Sequence, residues 1–308
     1  MSQFTATAPD LAQRRSSTKR RIQQLPLLPL ALMLPAVVLV LLVTFAPIIQ
    51  GINLSFHQTR YLRQGDFIGL DHYLRFFRDP SGLLSLINSA VASLGSLFCA
   101  LTIGLCLALL LNRQFRGRVI LRTLLIMPWI MSPLLSALLW RFMYSPQIGP
   151  VAYLLGQLTN SRFDLLGNPD TAMLGIIIAA VWRSYPYPMI LILAALQTIP
   201  EELYEAARID GAGRLQLFRH ITVPMIQNTV LIVIIILTIG YFNMVELPFV
   251  LTGGGPLDRT EVIGLHVYQE AFVLHNFGFA SAIAVIMLLI NIGISLIYIR
   301  ILRNERHT

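Results

Sequence analysis

Two stretches of the chain, residues 22–56 and 80–112, contain no Asp, Glu, Lys, Arg or His. Runs of that length constrain the fold before anything else does, because about 20 predominantly apolar residues of helix cross the hydrocarbon core of a bilayer. Each run holds one predicted span, near 29–50 and 87–111. Four further apolar segments follow, at about 120–143, at about 171–198, between His220 and Glu246, and between His275 and Arg300. The sequence therefore predicts an all-α membrane protein of six transmembrane helices. Composition agrees: 12% of residues are charged and the mean hydropathy is +0.69, whereas soluble domains carry about a quarter of charged residues.

Orientation follows from the Lys and Arg residues of the loops, since the cytoplasmic side retains positive charge. With the N-terminus inside, the inner segments hold five before the first span, four in "NRQFRGRVILR", three between Pro200 and His220, and three in the tail. The outer loops hold six, so both termini are expected to be cytoplasmic. A net charge of +8 then reflects attraction to an anionic inner leaflet, with no need for a nucleic-acid partner. The basic segment "RRSSTKRR" precedes an apolar run longer than a signal-peptide core of about 7–15 residues, with no small-residue cleavage site. It reads as the flank of a retained first span. The expected organisation is a cytoplasmic tail at 1–28, a transmembrane domain at 29–303 and a short tail at 304–308.

Several classes of chemistry are excluded by what is missing. The only lysine is Lys19, in the basic N-terminal segment, so no lysine can reach nucleotide phosphates as a P-loop requires. Neither H-E-x-x-H nor G-x-S-x-G occurs, and the cytoplasmic loops are too short for a catalytic domain. The chain is read as no enzyme, with no metal site and no cofactor of its own. Cys99 and Cys106 stand seven residues apart on one helix, roughly 10 Å, too far for a disulfide. Ser89, Ser93, Ser96, Ala100 and Gly104 repeat at three- and four-residue steps, a seam for close helix packing. Ion-coupled carriers usually bury carboxylates or repeat a broken-helix half, but Glu246 is the only acidic residue within a predicted span. That class is a minor alternative, under which the chain alone would transport down an ion gradient.

One segment stands apart from the apolar runs: "EAARIDGAGRLQLFRHITVP", from Glu205 to Pro224. Pro200 suits a helix start, and Glu201 and Glu202 follow where the helix dipole favours acids. The helix "PEELYEAARI" meets the turn signal "DG", and a second short helix, "RLQLFRH", leads into the fifth span. Leu203, Ala206 and Ala207 share a small apolar face. By charge and length alone this is an ordinary loop.

Its residues say more. Glu205-Ala206-Ala207, Gly211, Ile221 and Pro224, at their spacing here, resemble the "EAA" signature of permease subunits in binding-protein-dependent ABC importers; only Val223, where Leu is common, departs from it. Around it, "WRSYPYPMILILAALQTIPEELYEAARIDGAG" and "LTGGGP" at 251–256 are similar to the carbohydrate branch, in particular the larger permease of maltose-type and glycerol-phosphate-type systems. The resemblance covers residues 25–303. It implies a type I importer fold with the first span on the periphery, and a coupling loop at 199–222 that docks on a separate ATPase subunit. Glu205 would make a polar contact there, Ala206 and Ala207 would permit close approach, and Gly211 would make the turn. The implied partners are a second, homologous permease, two copies of an ABC ATPase that bind the ATP and Mg, and an extracytoplasmic solute-binding protein. The implied location is the bacterial inner membrane.

The substrate pathway is expected around the middle of the fourth span. Trp182, Arg183, Ser184, Tyr185 and Tyr187 surround Pro186 there, with Arg183 roughly 24 Å from the inner end at about 1.5 Å per residue. A central arginine costs about 2.5–3.5 kcal/mol on insertion scales, so it should face a cavity or a partner. Leu237, Tyr241 and Met244 share a face of the fifth span, beside Asn243, and Tyr241 lies at a similar depth. Aligned on the EAA segment, Arg183, Ser184, Tyr187, Leu237, Tyr241 and Met244 fall where maltose-type permeases line their sugar site. A sugar or sugar-like solute is implied, with an anionic sugar or glycerol derivative bearing phosphate or sulfonate as the alternative that Arg183 suggests. Arg141, near the outer end of its span, is expected to snorkel to the interface.

Overall fold

The structure is a computed structural model that describes residues 27–60, 63–159 and 164–305. Most of the expected N-terminal tail, and residues 306–308 of the C-terminal one, lie outside the described residues. The chain forms two units, residues 1–51 and 52–308. Helix α1 (Leu27–Ser55), whose last residues belong to the second unit, carries Pro35 and Pro47 in its interior, and residues 32–50 are all exposed. A helix apolar all round is a membrane span or a buried core helix, and this one has a mean hydropathy of 2.7.

The second unit opens with a feature that the apolar pattern does not announce. A two-stranded antiparallel hairpin, β1 (His57–Arg60) and β2 (Arg63–Phe67), precedes the short helix α2 (Asp71–Arg78). The fold is otherwise helical, as the apolar pattern predicts. The hairpin is held by long-range bonds: the Gly278 N–H donates to Thr59 Oγ1 at 2.7 Å, and His72 Nε2–H donates to the His57 carbonyl at 3.1 Å. Burial of His72 lowers its pKa below the ordinary histidine value, which favours the neutral ring that this bond uses.

Helix α3 (Pro80–Asn112) follows at once. Asp79 caps it, accepting from the Ser81 N–H at 3.1 Å and the Ser81 hydroxyl at 2.6 Å, and these bonds hold the Asp79 pKa below the carboxylate range. Proline at the first helical position costs no hydrogen bond. The small-residue seam faces inward as expected, since Ser89, Ser93, Ser96, Ala100 and Gly104 are all buried. At Gly104 a β-carbon would come within 2.7 Å of the Pro188 ring and 3.0 Å of the Met189 nitrogen. Only glycine permits that approach.

Two of the six predicted spans are not continuous helices. The third is α4 (Arg118–Ile130) followed by α5 (Pro133–Met143), bent by 99°, and the fourth is α7 (Ala172–Ser184) followed by α8 (Pro186–Leu196), bent by 42°. Proline explains both breaks, because Pro133 and Pro186 cannot donate to the preceding turn. Between them lies α6 (Pro150–Thr159). Among the described residues, four helices are long and apolar enough to cross a membrane, or up to six spans if each bent pair counts as one.

The loop beneath the bundle is a helix pair, α9 (Glu201–Ile209) and α10 (Arg214–Leu217), and α10 runs through a π-helical turn (Phe218–Thr222) into α11 (Val223–Phe242). That turn precedes Pro224, where a regular helix would lose a hydrogen bond. The fifth span ends at Phe242, earlier than expected, so Glu246 is outside it and begins a separate short helix, α12 (Glu246–Leu251). Helix α13 (Ile263–Tyr268) and a second π-helical turn (Gln269–Val273) lead to α14 (Phe277–Glu305).

Helix α3 packs against α7, α8 and α11, and the largest core cluster joins Ala92 and Ala100 to Ile176, Ala180, Val233, Leu237 and Tyr241. The segment between α12 and α13 is also tied to α3. The Asn88 amide donates to the Asp258 and Glu261 carbonyls at 2.8 and 3.0 Å, and Ser89 Oγ accepts from the Ile263 N–H at 2.7 Å.

Candidate functional site: a polar cavity in the bundle and an exposed helix pair

The two helix breaks come together. A cavity of about 420 Å³ is lined by Trp129 and Pro133 from the first break, by Arg183, Ser184 and Tyr187 from the second, and by Leu237, Gly240, Tyr241, Asn243, Met244 and Glu246 from α11 and the start of α12. Non-helical backbone at membrane depth is tolerated where it lines such a space. All seven residues expected on the substrate pathway, Arg183, Ser184, Tyr187, Leu237, Tyr241, Asn243 and Met244, line this one cavity.

Their local bonds explain the arrangement. Ser184 Oγ donates back to the Ala180 carbonyl at 2.6 Å and is hydrogen-bonded to the Tyr241 hydroxyl across the two helices. The equal depths inferred for the fourth and fifth spans are thus realised as contact between side chains. Asn243 donates to the Ile239 carbonyl at 2.7 Å and exchanges amide hydrogen bonds with Asn291 of α14. Trp129 and Tyr187 stand with ring centroids 5.9 Å apart. Arg183 is half-buried, and its Nε is buried with no hydrogen-bond partner. A guanidinium nitrogen desolvated without a partner is costly. Arg141 is exposed and does not line the cavity.

Sequence reasoning missed Trp129, Pro133 and Glu246 as lining residues. Trp129 and Pro133 flank the break, and a proline in an otherwise apolar span was the available signal. For Glu246 the signal was its charge, but its position depended on where α11 stops. A buried polar group near the α12–α13 segment was also missed: His266 Nδ1 contacts Glu261 Oε1, and both are buried together with Glu270.

The second candidate is the helix pair α9–α10. Gly211 has φ +85°, the left-handed region where glycine carries no steric penalty, and its N–H donates to the Arg208 carbonyl at 3.0 Å. Gln216 Oε1 accepts from the Gly213 N–H at 2.7 Å, starting α10, and Tyr204 bonds Thr222 across the pair at 3.0 Å. Glu205 and Ala206 are exposed and Ala207 is half-buried; Ile221 is half-buried and Pro224 exposed. The apolar side chains most exposed on this pair are Ile209, at 86%, and Leu215, at 78%, beyond the face that Leu203, Ala206 and Ala207 were expected to provide. Ala207, Gly211, Gln216, Leu217 and His220 surround a shallow groove of about 290 Å³.

Comparison with known proteins places this architecture. Residues 100–306 match the family described as the binding-protein-dependent transport system inner membrane component. The trehalose/maltose transport system permease protein MalF of Thermococcus litoralis is 32% identical over 276 residues, covering 89% of this chain and 93% of that protein. The sn-glycerol-3-phosphate transport system permease protein UgpA of Brucella suis is 32% identical over 283 residues, covering 91% and 96%. A solved structure, of a bacterial alginate ABC transporter in complex with an alginate pentasaccharide-bound periplasmic protein, superposes with a TM-score of 0.77 at 25% identity, covering 88% of this chain and 92% of that one. The chain belongs to the family of inner-membrane components of binding-protein-dependent transport systems: it is a multi-pass permease subunit of an ABC transporter complex, and not itself an enzyme.

Proposed function

We propose that this permease translocates a sugar or sugar derivative through the cavity between α4–α5, α7–α8 and α11, driven by ATP hydrolysis in a partner chain. The observation that carries the reading is the convergence of two broken spans on one cavity with aromatic faces, hydroxyls, an amide and an arginine. That mixture suits polyhydroxylated solutes, which present C–H faces to rings and hydroxyls to donors and acceptors. The names of the relatives, trehalose/maltose and sn-glycerol-3-phosphate, support the same class. The latter and Arg183 together favour a second reading, import of an anionic sugar or glycerol derivative.

In this proposal the segment 199–222 is the coupling loop. Two ABC ATPase subunits bind ATP and Mg, each permease presents one α9–α10 pair to an ATPase, and a second homologous permease completes the membrane core. A solute-binding protein delivers substrate to the outer face. Both termini lie in the cytoplasm, and this chain holds no cofactor. Exposed Ile209 and Leu215 would bury apolar surface against the ATPase, with Glu205 at the polar rim.

Glu205→Lys and Gly211→Asp test the coupling role, because both sites are exposed; Glu205→Lys is the cleaner variant, since a side chain at Gly211 has space but is strained at φ +85°. Each should reduce uptake, and ATP hydrolysis stimulated by the binding protein, by more than tenfold at unchanged membrane abundance. Unimpaired uptake in both would remove the coupling assignment.

A further inference from the structure

The cavity holds two opposite fixed charges. Arg183 and Glu246 both line it, yet among the described residues they form no ion pair with each other. Each is therefore available to a solute. Building on the proposed pathway, we infer that Glu246 is a specificity-determining residue: it filters the cavity by charge, so that the pathway takes neutral polyhydroxylated solutes and turns anions away.

The chemistry is directional. A hydroxyl both donates and accepts, so a neutral saccharide can give hydrogen bonds to the Glu246 carboxylate and take them from the Arg183 guanidinium. Charge-assisted bonds of both kinds are stronger than neutral ones. An anion would gain the Arg183 guanidinium, but it would bring a like charge toward Glu246, and its ionised group has no proton to donate to that carboxylate. A unit charge several ångströms away, at an effective dielectric of about 20, changes the local abundance of a charged species by roughly tenfold or more. Tyr241 and Ser184 are already bonded to each other, which leaves Arg183 and Glu246 as the charged determinants. Without Glu246 the cavity would favour anions. With it, the cavity balances.

Accessibility of an engineered thiol to methanethiosulfonate reagents tests this with no need to know the substrate. Gly240 lines the cavity and has nothing within 4 Å of an added β-carbon, so Gly240→Cys is a fitting reporter in the complete transporter, in membranes, with Cys99 and Cys106 replaced by alanine. Three reagents are compared: sulfonatoethyl (anionic), trimethylammonioethyl (cationic) and hydroxyethyl (neutral). Relative to the neutral reagent, Glu246→Gln should raise anionic labelling and lower cationic labelling, each by about tenfold, and Arg183→Gln should move both ratios in the opposite direction. Glu246→Asp, which keeps the charge, should leave the ratios near those of the parent. Unchanged ratios in Glu246→Gln would overturn the filter, and so would an equal shift in Glu246→Asp, since packing would then be the cause. Failure of the neutral reagent to label the thiol in any background would instead show a closed, dry space, and the proposed pathway itself would fall.

Discussion

Arg183 concentrates the function at the scale of one residue. Its charge is expensive in a bilayer, and its Nε is buried without a partner, so the fold keeps a desolvated donor on a residue that lines the cavity. If the solute is neutral, Arg183 contributes hydrogen bonds of a charged group, about 1.5–3 kcal/mol in total effect. Arg183→Gln retains an amide donor and should leave measurable uptake, whereas Arg183→Leu should abolish it while inserting at least as well. Uptake and binding-protein-stimulated ATP hydrolysis, measured at matched abundance, decide the matter. Loss with both variants while stimulated hydrolysis persists would favour an anionic solute. Full activity in both would remove Arg183 from the pathway.

Between elements, the decisive contact is that of α3 with α8. The seam was legible in the sequence because small residues recur at helical spacing, but the identity of the facing helix was not. Gly104 shows why the contact is unforgiving: a β-carbon there meets a proline ring and a backbone nitrogen, and neither can rotate away. Gly104→Val should separate α3 from α8, at about 1–3 kcal/mol as overpacking usually costs, and reduce the folded fraction in membranes. A thermal-stability series on the detergent-solubilised complex would measure this. Gly293, with nothing within 4 Å of a β-carbon, is the control: Gly293→Ala should leave the midpoint within a degree or two. Equal losses at the two sites would refute a role for close packing at Gly104.

For the whole molecule, the structure leaves much apolar surface without a protein neighbour. Exposed side chains on α3, α11 and α14 include Leu94, Phe98, Ile236 and Ile297, and the cavity between the broken spans is open. The chain expressed alone should therefore be poorly stable in detergent and hydrolyse no ATP, while co-expression with the proposed second permease and ATPase should restore a monodisperse complex. Size-exclusion profiles and an ATPase assay check both halves of this expectation. A monodisperse, ATP-hydrolysing single chain would contradict it.

What the sequence determined by itself is whatever local composition dictates. Uncharged runs of 33 residues or more can only be spans; the two glycines and the charges of 205–219 can only be a polar turn; and an arginine surrounded by aromatics deep in a span must face something other than lipid. Seven lining residues were read from that reasoning and from the resemblance of the EAA segment, and they share one cavity. Tertiary structure decided the rest. It broke two spans where proline removed a donor, and set the break at Pro133 beside the break at Pro186. It ended α11 at Phe242, so that Glu246, expected at the end of the fifth span, begins α12 and lines the same cavity as Arg183. It folded a hairpin onto Gly278 and buried Glu261 with His266 against α3. These outcomes depend on contacts between segments distant in sequence, such as Thr59 with Gly278 and Asn88 with Glu261, whose energies no local window of residues contains.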